Sequence, residues 1–136
     1  MRIAVIDGQG GGIGRLIVEK LKASFGKQID IVVLGTNALA TAAMLRAGAD
    51  EGASGENAII YNVSKVDIIV GTIGIIAANS MLGELSPDMA KAIAESPAKK
   101  ILIPINRCNL HIVGIQEDSL PQSIDLIVEE VRKYMI

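Results

Sequence analysis

The sequence predicts a single α/β domain built on a doubly wound, mostly parallel sheet, and three observations predict it. Short apolar runs alternate with amphipathic stretches along most of the 136 residues, the pattern of strand–helix–strand units. The runs are continuous, as in Ile3-Ala4-Val5-Ile6, which suits parallel strands buried on both faces. A glycine-rich turn follows the first run and opens the first helical stretch. A chain of this length holds one domain, residues 1–136.

Taken in order, Ile3–Ile6 is strand one, and the first helix sets Ile13, Leu16, Ile17 and Leu21 on one face. Ile29–Leu34 is strand two. Asn37 suits the cap of a second helix that stops near Gly48. Ala49–Ala53 reads as a short third strand, Ala58–Val63 as weakly helical and Asp67–Val70 as strand four. An apolar helix is expected over Ile75–Leu82. Ser86-Pro87 starts another, with serine as cap and proline at the first helical position. It ends near Ser96-Pro97. Ile101–Ile105 is strand five, irregular at Pro104. Leu110–Ile115 reads as a sixth strand. The loop Asn106-Arg107-Cys108-Asn109 is too short for a parallel crossover, so the sixth strand is expected to be antiparallel and at an edge. The last helix, Pro121–Tyr134, points Ile124, Ile127, Val128 and Val131 inward.

Right-handed crossovers turn this series into a Rossmann-like sheet of order 3-2-1-4-5 with an antiparallel sixth edge strand. Such sheets bind ligands beyond the carboxyl ends of the strands, where the order reverses. Three loops meet there: Gly8–Gly14, then Gly71-Thr72-Ile73-Gly74, then Asn106–Asn109 with Arg107 as a candidate anion clamp. Thr36 and Asn37 flank the cleft as candidate ribose contacts, with helix capping as the competing role of Asn37.

Asp7-Gly8-Gln9-Gly10-Gly11-Gly12-Ile13-Gly14 carries the strongest chemical signal. Glycines let backbone approach a ligand, and a helix N-terminus offers unpaired N–H groups to phosphate. No Walker loop is present, because Arg15 and Leu16 follow Gly14 where lysine and a hydroxyl would be needed. At the end of strand two, Leu34-Gly35-Thr36-Asn37 lacks both the acid that holds NAD ribose and a cation for the NADP 2′-phosphate. NAD and NADP are candidate cofactors between which this end does not choose, and other nucleotides stay open.

Gly8, Gly12, Ile13 and Gly14 resemble the glycine motif of short-chain dehydrogenases, with Asp7 in place of threonine. Tyr61-Asn62-Val63-Ser64-Lys65 also matches that family's Y-x-x-x-K. It precedes strand four, however, which places it at the opposite end of the sheet from the cleft. Over nearly its whole length the chain resembles a family of short bacterial Rossmann-like proteins of unassigned function. Asp7–Gly14, Asp67–Gly83 and Ile101–Gly114 carry that resemblance. It implies the fold and a bacterial, cytosolic origin, and no catalytic residue.

Composition narrows the function classes. The net charge is −2, and Phe25, Tyr61 and Tyr134 are the only aromatics, so nucleic acid and anionic membranes are not expected partners. The most apolar stretch, Ile68–Leu82, is interrupted by Gly71, Thr72, Gly74, Asn79 and Ser80 and falls short of a membrane span. A lone cysteine, Cys108, and the absence of a signal-peptide pattern point to the cytoplasm. Cys108 and the only histidine, His111, are too few for a zinc site. The expected function is a small nucleotide- or dinucleotide-binding protein, with a regulatory role as one form of it, acting as a homodimer through Ile75–Leu82. The alternatives are an NAD(P)-dependent oxidoreductase and an interaction module whose glycine loop is purely structural.

Overall fold

The computed structural model describes residues 1–105, 109–116 and 118–135. Five parallel strands form one sheet: β1 (Arg2–Asp7), β2 (Asp30–Gly35), β3 (Glu51–Ser54), β4 (Ile68–Thr72) and β5 (Lys99–Ile103). Their order is β3-β2-β1-β4-β5, as the alternation of elements predicts. The α-helices among the described residues are α1 (Gly12–Phe25), α2 (Ala38–Arg46), α3 (Glu56–Asn62), α4 (Pro87–Glu95) and α5 (Leu120–Arg132).

The continuous apolar runs are explained by two cores, one on each face of the sheet. Ile3 and Val5 of β1 pack with Ile17 and Leu21 of α1, Met44 of α2, and Ile127 and Val131 of α5. Their neighbours Ala4 and Ile6 point the other way, onto Ile59 of α3, Ile93 of α4 and Leu85. Successive side chains of a strand alternate between faces, so only an unbroken apolar run serves both cores. The register sets Val5 opposite Val33 on one side and Val70 on the other.

Helix starts follow their capping residues. The Asn37 side chain accepts from the Ala40 amide at 2.8 Å, and Ser86 and Ser119 cap α4 and α5 with proline in the first turn. Among the described residues, no helix is long and apolar enough to cross a membrane.

Two elements differ from the sequence expectation. The span 75–82 is not an α-helix. It begins in a 3₁₀ turn, Ile73–Ile76, and continues as turns to Leu85. Asn79, Met81, Leu82 and Gly83 all take positive φ, from 57° to 89°, and left-handed residues cannot continue a right-handed ladder. The apolar side chains there are covered from within the chain only in part: Ile75 is buried in the second core, while Leu82 is 98% exposed. The expected sixth strand is also absent among the described residues 109–116. Asn109 and Gly114 have φ of 57° and 85°, and a turn at Val113-Gly114 breaks the extended run. β5 is therefore an open edge over the described residues.

Candidate functional site

β1 and β4 are neighbours in the sheet, but the chain leaves them toward opposite edges. Loops after two such strands part and leave a crevice between them. A cavity of about 200 Å³ lies in this crevice, lined by Asp7, residues 8–13, Thr72, Gly74, Ser80 and Met81.

The glycine loop is shaped by Asp7. Its buried carboxylate accepts from the Gly8 amide at 2.8 Å and from the Gly14 amide at 2.7 Å, so it caps the first turn of α1 from below. The Gly11 amide closes a turn onto the Gly8 carbonyl at 2.9 Å. The Gln9 amide donates to Glu84 at 2.8 Å. After these bonds, the amides of Gly10, Gly12 and Ile13 have no acceptor among the described residues. Gly12 and Ile13 open a helix of 14 residues, and such amides at a helix N-terminus carry its positive end.

The structure gathers most, not all, of the residues that the sequence singles out. Gly8 to Ile13, Thr72 and Gly74 line the cavity. Gly14 is buried behind it, against Asp7 and Met44. Gly71 lies inside β4, where a Cβ would come within 2.8 Å of the Ile6 carbonyl oxygen. Ile73 is half-buried at the start of the 3₁₀ turn. Asn106, Arg107 and Cys108 lie outside the described residues. His111 is exposed. Ser80 donates to the Gly74 carbonyl at 2.5 Å, which fixes the wall of the cavity opposite the glycine loop.

Thr36 and Asn37 stand at the flank, as expected, but their side chains are engaged. Both donate to Oε1 of Glu84, at 2.7 and 2.8 Å. Asn37 also donates to the Gln9 carbonyl at 3.0 Å and caps α2. Glu84 is the residue that sequence reasoning missed. The one available signal was its isolation, since it is the only ionisable side chain between Asp67 and Asp88.

Hydrogen bonds from Thr36, the Gln9 amide and Asn37 hold the Glu84 carboxyl below its ordinary pKa, against a smaller opposing effect of burial. A carboxyl whose pKa is depressed on folding contributes stability above its unfolded value. That contribution is lost as the pH falls through the folded value. Stability is thus expected to fall in the range below about pH 4.3, the ordinary glutamate value. Glu84→Gln should flatten that part of the curve in chemical denaturation measured at several pH values. An unchanged pH profile in the variant would show that these bonds are not formed in solution.

The Tyr61–Lys65 pair does not belong to this site. The Lys65 ammonium sits 3.9 Å from the centroid of the Tyr61 ring, stacked on its face, and Tyr61 is exposed. The segment that follows α3 runs to Asp67, whose side chain accepts from the Arg2 amide at the amino end of β1. That is the end of the sheet away from the cleft.

The family model described as "Domain of unknown function (DUF3842)" matches residues 2–136. The chain belongs to that family. No curated protein matches it. Among solved structures, a universal stress protein in complex with cAMP is similar at 16% identity, with a TM-score of 0.42. The match covers 74% of this chain and 95% of that one. The fold assignment rests on the strand order and pairing described above.

Proposed function

We propose that the chain is a nucleotide-binding protein whose glycine loop and α1 N-terminus hold a phosphate. The observation that carries this reading is the set of three amides, Gly10, Gly12 and Ile13, that have no acceptor among the described residues and lie at the edge of a cavity where the strand order reverses. Backbone donors with a helix dipole behind them suit an anion. The cavity of about 200 Å³ is smaller than the roughly 300–1,000 Å³ that encloses a drug-sized ligand. It suits a phosphate and part of a sugar, with the base lying outside. NAD presents the same adenylate half as AMP, whereas NADP adds a 2′-phosphate to that half, so the dinucleotides are natural probes beside the mononucleotides. The described lining holds no cation and one carboxylate, Asp7, which favours phosphates of low charge. Calorimetric titration of the purified chain with AMP, ADP, ATP, NAD and NADP tests the reading. At least one should bind with a Kd below about 1 mM. If the folded chain binds none of them, the loop is structural.

A second copy of the chain is part of the proposal, and we place its contact at the β5 edge, while the exposed Leu82 leaves the expected contact at residues 75–82 open. The open edge of β5 supports it, together with the groove of about 530 Å³ between β5 and α5. Leu110, Ile112, Val113 and Ile115 stand exposed in the same part of the chain. Unpaired edges and apolar patches of this kind are covered in stable soluble proteins. Light scattering at micromolar concentration should give twice the 14.3 kDa chain mass. A monomeric mass would remove the dimer and leave the nucleotide site standing.

A further inference from the structure

We propose that Glu84 makes the glycine-loop cleft select nucleotides with a free ribose 2′-hydroxyl and reject their 2′-phosphorylated forms. This rests on the nucleotide reading above and specifies which ligands that site takes.

Three donors from two separate loops converge on one oxygen of Glu84. They are Thr36 Oγ1 at 2.7 Å, the Gln9 amide at 2.8 Å and Asn37 Nδ2 at 2.8 Å. All lie beyond the carboxyl ends of β1 and β2. In sheets of this order the ribose of a bound nucleotide lies by the end of the second strand, where an acid accepts its hydroxyls or a cation meets a 2′-phosphate. β2 ends in Gly35, followed by Thr36 and Asn37, and supplies neither. Glu84 brings a carboxylate to that place from the connection after β4, 47 residues beyond Asn37.

The connection holds it there. The Asn79 amide bonds to the Leu85 carbonyl at 2.8 Å, and Ser80 ties the same segment to Gly74. Oε1 is fixed by its three donors, whereas Oε2 has no hydrogen bond to Gln9, Thr36 or Asn37. An ionised carboxylate only accepts, so Oε2 can accept a hydrogen bond donated by a ribose hydroxyl. A 2′-phosphate brought to the same place meets a like charge and finds the nearby donors already engaged. With the carboxylate removed, Gln9, Thr36 and Asn37 would be free to receive that phosphate.

The test titrates the wild-type chain, Glu84→Gln and Glu84→Ser with two matched pairs: AMP against adenosine 2′,5′-bisphosphate, and NAD against NADP. The wild type should prefer the member with the free 2′-hydroxyl by at least about tenfold, because like charges in contact at an interface are costly. Glu84→Gln should shrink the preference. Glu84→Ser, which empties the cradle, should reverse it. Equal affinities in the wild type would overturn the selectivity, as would an unchanged ratio in both variants. The wild-type ratio needs no variant, so it decides even where a variant fails to fold. Failure of both AMP and NAD to bind the wild type would instead remove the nucleotide reading itself, and this inference with it.

Discussion

Gly11→Val is expected to destabilise the fold by about 3 kcal/mol. Gly11 precedes α1 with φ 72° and ψ 17°, a left-handed conformation that costs a residue with a Cβ roughly 1–2 kcal/mol. Space is also lacking. A Cβ would stand 2.8 Å from the Ala40 carbonyl oxygen and 2.9 Å from its Cα. Those atoms are backbone of α2, so relief requires α2 to move off α1, at a further cost of about 1–3 kcal/mol. For a domain of this size the midpoint of thermal unfolding should fall by about 10 °C. Circular dichroism melts of wild type and variant measure it. A shift within about 2 °C would show that the loop adopts a different path.

Gly12→Val is expected to do the opposite, sparing the fold and abolishing binding. A Cβ at Gly12 meets nothing within 4 Å, and valine at a first helical position changes stability by less than about 1 kcal/mol. The isopropyl group would nevertheless stand beside the three amides that have no acceptor among the described residues. Each hydrogen bond to a charged group is worth about 1.5–3 kcal/mol, so losing two of them weakens affinity by at least about 100-fold. A folded variant that still binds AMP as the wild type does would place the site elsewhere. The two neighbouring glycines thus separate the structural role of the loop from its binding role.

The contrast between these glycines also shows what the sequence made legible. The order of the sheet follows from runs such as Ile3–Ile6 and Ile29–Leu34, because burial on both faces leaves an unbroken apolar signature. The glycine loop was legible for a similar reason, since a strand–turn–helix context is local. The span 75–82 was misread because its apolar residues look like a buried helix. The positive φ angles of Asn79, Met81, Leu82 and Gly83 break the helix, and bonds from Asn79 to Leu85 and from Ser80 to Gly74 hold the segment in turns instead. The expected sixth strand failed at Gly114, a turn residue inside an apolar run. Glu84 was hidden for the deeper reason that its partners, Gln9, Thr36 and Asn37, lie between 47 and 75 residues away. A carboxylate delivered across the cleft leaves only the trace of a lone charge in an apolar stretch.

The central claim is that the amides of Gly10, Gly12 and Ile13 are the anion-binding surface. Titrating AMP into the ¹⁵N-labelled chain and following each amide resonance tests it directly. The account predicts saturable shifts that are largest at Gly10, Gly12 and Ile13, while the amides of Ile60 and Tyr61 on α3 stay in place. Saturable binding that leaves the three loop amides unmoved, with the shifts instead along the groove between β5 and α5, would contradict it.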